Sequence, residues 1–146
     1  MKNAKSWLGV AVWMAGTGGA MAQSVVSPPT LSFEGAREMA LTAIDACRKQ
    51  GFSVTVTVLD RSGRTRVMLH DDNANPHTIE NSLRKAHTAL TFRIPSVQMA
   101  KRAASNPAVM SLANVTTGEG GLPIFAGKEL IRSIGNSGAQ IGRAHV

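Results

Sequence analysis

The clearest pattern in the chain is the alternating stretch of residues 52–60, in which valine and threonine alternate strictly over residues 54–58. Alternating β-branched residues predict a half-buried strand, with Val54, Val56 and Val58 on its inner face and Thr55 and Thr57 on its outer face. The turn formers Asp60-Arg61-Ser62-Gly63 follow, and residues 64–70 predict the return strand. We therefore expect a β-hairpin over residues 52–70, around which the rest of the chain is built.

Two helices are predicted from apolar positions spaced three and four residues apart. The first begins after Ser32, a good N-cap residue, and ends near Gly51. Its apolar stripe is Ala36, Met39, Ala40, Ala43, Ile44 and Cys47. The second begins after the N-cap Thr78 and runs to about Phe92, and its apolar stripe is Ile79, Leu83, Ala86 and Leu90. We expect the first helix to cover the valine face of the hairpin.

The second half of the chain predicts a short third helix and a second hairpin. Pro95 suits the first position of that helix, and Asn106-Pro107 ends it. Its inward residues are predicted to be Val97, Ala100 and Ala104. One short helical turn is expected at residues 108–112, and the glycine-rich residues 114–121 are expected to be irregular. A hairpin over residues 122–134 then completes a single α+β domain with helices packed on an antiparallel sheet.

Both ends of the chain fall outside this domain. Residues 1–22 combine Lys2 and Lys5, a short apolar run and the small-residue cleavage site Ala20-Met21-Ala22, which is the layout of a secretory signal peptide. Residues 141–146 resemble the translation of a sequencing adapter in one reading frame. We therefore expect an exported domain over residues 23–140, in a periplasmic or secreted location, whose closing helix is missing.

Charge and cysteine content exclude several functional classes. Without Lys2, Lys5 and Arg143, the 16 basic residues fall to 13 against 9 acidic ones, a net charge of +4. These basic residues are spread along the chain with no Tyr or Trp between them, which argues against nucleic-acid binding. Cys47 is the single cysteine, so no internal disulfide forms, and its place on the helix stripe predicts a buried thiol. No nucleophile elbow and no cysteine–histidine zinc spacing occur.

Five short motifs occur in an order that resembles the GlcG/HbpS family of haem-binding proteins. They are Leu31-Ser32-Phe33-Glu34-Gly35-Ala36, Val58-Leu59-Asp60-Arg61-Ser62-Gly63, Arg84-Lys85-Ala86-His87-Thr88-Ala89, Gly120-Gly121-Leu122-Pro123-Ile124 and Ile134-Gly135-Asn136-Ser137-Gly138. The resemblance implies a profilin-like antiparallel sheet, haem or a related tetrapyrrole as ligand, and a homo-oligomer. Two positions depart from it: Asn136 stands where the family commonly has valine, and Arg132 where a small residue is usual.

Haem iron accepts an imidazole nitrogen, so the histidines are the candidate metal ligands. His77 precedes the predicted cap of the second helix, at a positive helix end that attracts a propionate, whereas His87 lies on the apolar face of that helix. His70, at a strand end beside two aspartates, is a weaker candidate. A solvated histidine is the alternative for His77 and His70, and a satisfied core histidine is the alternative for His87.

Further contacts with haem are predicted from cations and hydroxyls. Arg84 and Lys85 are candidates for pairing with propionates, although a solvated helix face explains them equally well. Thr117 and the following glycines are candidates to line a pocket. Methionines, among them Met68, are soft axial ligands in principle, but at this spacing they are more often core.

Three functions stay open from the sequence. The favoured one is an exported haem-binding protein that sequesters, carries or senses haem. The second is an enzyme of the same fold that degrades haem or acts on a small substrate, for which Glu119 near a glycine-rich loop is the only candidate acid or base. The third is an oligomeric interaction module without a ligand, and no catalytic residue is assigned.

Overall fold

The structure, a computed structural model, describes residues 29–139. The predicted signal peptide and the adapter-like tail lie outside these residues. The elements follow in the order α1 (Phe33–Arg48), β1 (Thr55–Asp60), β2 (Thr65–His70), α2 (His77–Phe92), α3 (Met99–Ser105), β3 (Gly121–Ala126) and β4 (Glu129–Ser137), with 3-10 turns at Ser96–Gln98 and Pro107–Ser111. Within the described part, no helix is long and apolar enough to cross a membrane.

Four antiparallel strands form one sheet in the order β2-β1-β4-β3. Both predicted hairpins are confirmed, and β1 and β4 are the two central strands. The prediction that the last strand ends near Ile134 is wrong, because Gly135, Asn136 and Ser137 continue the ladder opposite β1. The sheet with helices on both faces confirms the predicted α+β domain.

The first helix covers the valine face of the hairpin, as predicted. The Ser32 hydroxyl accepts a hydrogen bond from the Gly35 backbone N–H at 3.1 Å and caps α1. The buried residues of this layer are Ala36, Ala40, Ile44 and Cys47 from the helix and Val54, Val56, Val58 and Val67 from the hairpin. Gly51, two residues beyond the cap, takes a φ of +80° and turns the chain into the sheet.

The second face of β1 is buried as well, which corrects the prediction of a half-buried strand. Thr55 and Thr57 are fully buried beneath α2. Their hydroxyls pair with those of Thr78, at 2.6 Å, and Ser82, at 2.7 Å. A hydroxyl can be buried when it finds a hydrogen-bonding partner, so a search for apolar spacing alone misses this layer.

The start and the buried face of α2 differ from the sequence prediction. The helix begins at His77 after Pro76, so Thr78 is not the N-cap, and its side chain faces β1 instead. Ile79, predicted to be inward, is 42% exposed. Ala86 and Leu90 are buried as predicted, and the helix ends at Phe92.

A close backbone approach fixes α2 against β4. A Cβ added at Gly135 would lie 2.6 Å from the Ala86 backbone nitrogen and still closer to the Ser82 carbonyl oxygen. No real Cβ tolerates such distances, so only glycine lets the helix settle at this depth. The position of α2 therefore depends on this residue.

The third helix is shorter than predicted and buries a different residue. Pro95 precedes a 3-10 turn rather than opening α3. Val97 is 46% exposed and Ala100 and Ala104 are exposed, whereas Met99 is fully buried, so the predicted inward face is wrong. The end of α3 at Asn106 and the helical turn after it are confirmed.

Candidate functional site

A cleft of about 530 Å³ opens at one end of the sheet. Antiparallel pairing of β1 with β4 brings the β1–β2 turn and the β3–β4 turn to this end, and the last turns of α2 lie between them. The lining residues are Arg61, Ser62, Gly63, His87, Leu90, Thr91, Arg93, Lys128, Glu129 and Leu130. A volume of this size lies within the usual range for small-molecule sites.

The β1–β2 turn forms one wall of the cleft, next to His87. The Asp60 carboxylate accepts hydrogen bonds from the backbone N–H groups of Ser62, at 2.8 Å, and Arg64, at 3.0 Å. Gly63 has a φ of +79°, and a Cβ there would lie 3.1 Å from His87 Cε1. A side chain at position 63 would therefore crowd the edge of the imidazole ring, whereas glycine leaves that edge open to the cleft.

His87 is the group in the cleft with ligand chemistry. Its side chain is half-buried, and burial lowers the pKa of the imidazole below its ordinary value. The neutral form, which carries a free nitrogen lone pair, is therefore favoured at neutral pH. Within residues 29–139, no hydrogen bond joins the ring to another side chain, so its nitrogens are free to contact a ligand.

The rim of the cleft carries more positive than negative charge. Arg61, Arg93 and Lys128 line it together with one carboxylate, that of Glu129. Arg93 ends α2 in the left-handed conformation, with φ 57°, so its side chain leaves the helix at the rim. Three cations against one anion favour a ligand with carboxylate groups.

His77, the other predicted metal ligand, lies outside the cleft. It is the first residue of α2 and is exposed. Ten residues separate it from His87, which places the two about 15 Å apart along the helix axis. Side chains at that separation cannot bind one iron from the same chain, so the two histidines are alternatives, and metal binding by either stays a prediction.

The remaining predicted contacts do not line the cleft. Arg84 lies one helical turn before His87, but it donates a hydrogen bond to the Val115 carbonyl at 2.9 Å, and Thr117 is exposed in the same loop. Desolvation lowers the pKa of Lys85, an effect that the nearby Glu119 partly offsets. The contact of these three residues with haem stays a prediction.

Sequence reasoning missed the cations of the cleft. Arg61, Arg93 and Lys128 come from three separate segments, none of which carries a charge motif of its own. The predicted hairpins were the signal that could have found them. When β1 and β4 pair antiparallel, the β1–β2 turn and the β3–β4 turn lie at the same end of the sheet. Within the described residues, no group of three His, Cys, Asp or Glu side chains is arranged to hold a metal ion.

Comparison with known proteins gives a consistent assignment. The family model described as "Haem degrading protein HbpS-like" matches residues 31–144. The crystal structure of HbpS is 34% identical, covers 84% of this chain and 87% of its own, and superposes with a TM-score of 0.81. A double mutant of HbpS from Streptomyces reticuli is 33% identical, with 91% of this chain and 88% of that chain covered and a TM-score of 0.79.

A more distant structure shares the fold. The PduOC:haem complex is 20% identical, with 77% of this chain and 86% of that chain covered and a TM-score of 0.71. A search of curated proteins gives no match. The family model spans most of the chain and agrees with the resemblance found in the five motifs, and the chain therefore belongs to the HbpS-like family of haem-degrading proteins.

Proposed function

We propose that this protein binds haem in the cationic cleft, with His87 as the axial ligand. The observation that carries the proposal is the half-buried His87, whose pKa is lowered by burial, beside three rim cations. A neutral imidazole is the form that ligates haem iron. Haem brings two carboxylates on an apolar ring, so one ligand matches both features of the cleft.

The residues present fit that group. Arg61, Arg93 and Lys128 are placed to pair with propionates, and Leu90 and Leu130, each 9% exposed, add a small apolar area to the lining. When bound, haem would supply iron chemistry, while the chain supplies the axial nitrogen, the counter-charges and partial exclusion of water. The cleft is open to solvent, which suits a protein that receives and releases its ligand.

Relatives support the same ligand. The family description names haem, and a protein of this fold has been crystallised as a haem complex. We further propose that the protein acts after export, in the periplasm or outside the cell, where it sequesters, carries or senses haem. That step rests on the signal-like residues 1–22.

A homo-oligomer is part of the proposal, because the family resemblance implies self-association. Sedimentation of the purified chain would test it. A monomer at micromolar concentration would contradict it, without bearing on haem binding by the cleft.

A hemin titration followed at the Soret band tests the proposed site. The wild-type chain should give a saturable, shifted band with one haem per cleft, and His87→Ala should lose the shift. His77→Ala is the matched control, since it removes an exposed imidazole from the same helix and should titrate like the wild type. A normal titration by His87→Ala, or its loss in His77→Ala alone, would contradict the assignment.

Haem degradation is the second candidate, favoured by the description of the family as haem-degrading. A bound haem whose Soret band decays under a reductant and oxygen, with release of iron, would support it. A complex that stays spectroscopically intact would limit the protein to binding. If no variant or wild-type chain shifts the Soret band, the ligand-free interaction module becomes the better account.

A further inference from the structure

The edge strand β2 presents a histidine and a methionine on the same open face. His70 lies opposite Thr55 and Met68 opposite Thr57, so both side chains are on the side of the sheet that carries α2. The helix packs on β1, β3 and β4 and leaves β2 uncovered on that side. Met68 is 36% exposed and His70 is exposed, so both side chains are open to a ligand.

A chain of hydrogen bonds ties the inner edge of His70 to the core. Its Nδ1 lies 2.6 Å from the Thr55 hydroxyl, which lies 2.6 Å from the Thr78 hydroxyl. The Thr78 hydroxyl lies 2.5 Å from the Asn75 carbonyl oxygen. Both threonines are fully buried, so the contact between their two hydroxyls is shielded from water.

Counting protons along this relay fixes its direction. The Asn75 carbonyl can only accept, so Thr78 donates its one hydroxyl proton there. Thr55 must then donate to Thr78, which leaves its oxygen as an acceptor for His70. His70 Nδ1 therefore carries a proton, since the opposite orientation would leave one of the short contacts without any hydrogen.

The relay prepares the outer nitrogen of the ring. With the proton held at Nδ1, the neutral imidazole has its lone pair on Nε2, the ring nitrogen that Thr55 does not engage, and the His70 side chain is exposed. Metal-binding histidines in proteins characteristically donate their second ring N–H in this way, which sets both tautomer and ring orientation. Thr55 is therefore a positioning residue for a ligand at His70.

The neighbouring groups select the type of metal. Met68 and His70 are two residues apart on one strand face, about 7 Å between Cα atoms, so that thioether and imidazole can converge on one ion. Asp71 is taken by two hydrogen bonds from Arg48, at 2.8 and 3.0 Å. Among residues 29–139, no three His, Cys, Asp or Glu side chains lie together as a metal-binding group, which disfavours zinc, calcium and magnesium at this edge.

We propose that His70 and Met68 bind one copper(I) ion at the edge of the sheet. Thioethers are soft ligands that select copper(I), and this ion accepts low coordination numbers. The site is separate from the His87 cleft, because His70 is at the opposite end of the hairpin from the β1–β2 turn. Neither proposal depends on the other.

Anaerobic competition with bicinchoninate tests the site on the full chain without haem. The wild type should withdraw one equivalent of copper(I) from the coloured complex, His70→Ala should withdraw none, and Met68→Leu should bind at least tenfold more weakly. Met110→Leu is the matched control, since Met110 is similarly exposed at 40%. Cys47→Ala should also retain binding, because the thiol is buried. Equal binding by wild type and His70→Ala would overturn the proposal.

The relay has its own test. Thr55→Val should weaken copper(I) binding by about tenfold, the usual scale for losing an outer-shell partner. Thr57→Val is its control, since it breaks the adjacent threonine–serine pair without touching His70. Nitrogen-15 NMR should show the Nδ1–H tautomer of His70 in the wild type and a mixture in Thr55→Val. A dominant Nε2–H tautomer in the wild type would overturn the relay.

Discussion

Replacing Arg132 by methionine should stabilise the protein. Arg132 lies on β4 opposite Asp60 and is 1% exposed. Its Nε and Nη1 atoms have no hydrogen-bonding partner among the described residues, and Nη2 reaches the Thr30 hydroxyl only at 3.4 Å. Burial lowers the pKa of Arg132, the nearby Arg66 lowers it further, and Asp60 partly offsets both. This is also a position where the family resemblance implies a small residue.

The magnitude follows from what the substitution removes. An unsatisfied buried polar group costs about 1–3 kcal/mol, and exchanging buried charge for a packed apolar side chain stabilises by about 1–4 kcal/mol. Methionine keeps an unbranched, flexible stem of similar length, so it leaves little cavity. We expect the free energy of unfolding to rise by about 2 kcal/mol, which corresponds to an increase in Tm of about 8 °C for a domain of this size.

Urea denaturation and calorimetry on the purified chain measure the effect. Arg64→Met is the matched control, since Arg64 is exposed at the adjacent turn and its loss should change stability by less than about 0.5 kcal/mol. A loss of stability greater than 1 kcal/mol in Arg132→Met would refute the reasoning. It would mean that the guanidinium has a partner that the described residues do not include.

Three further outcomes follow from single features. Gly135→Ala should destabilise the fold by about 3 kcal/mol in urea denaturation, because the added methyl group forces α2 away from the sheet. Gly118→Ala is the control and should be near neutral, since its methyl group would meet only side-chain atoms at 3.3 Å or more. Equal losses of stability in the two variants would contradict the close approach of α2 to β4. Arg48 holds the pKa of Asp71 below its ordinary value, so its stabilisation is present above about pH 4 and lost below, and Arg48→Met should flatten that acid slope. Burial lowers the pKa of His87, so the native state should lose stability as the pH falls below about 6.5. A His87→Gln variant that shows the same dependence of stability on pH would contradict this cause.

The first half of the fold follows from sequence because its signals are local. Alternating valines, the Ser32 cap and the turn at Gly63 each depend on a few neighbouring residues, and the structure has all three. The second face of β1 did not follow, because Thr57 and Ser82 are 25 positions apart and their pairing is visible only once α2 is placed. Burial of hydroxyl groups depends on such distant partners.

The candidate site could be predicted from the sequence only in part, for the same reason. The sequence indicates His87 through its helix face, yet it favours His77, which the structure places at the far end of α2. The rim cations Arg61, Arg93 and Lys128 come together only through the antiparallel pairing of β1 with β4. A cleft made from three segments has no signature within any one of them.

The central claim, that the His87 cleft holds haem, is tested most directly by an NMR titration with gallium(III) protoporphyrin, a diamagnetic stand-in for ferric haem. We predict that the largest ring-current shifts fall on backbone amides of the cleft walls, those of Gly63, Thr91 and Leu130. Amides of residues 115–118, which do not line the cleft, should change less. Shifts centred on those residues, or around His77, would contradict the assignment of the site.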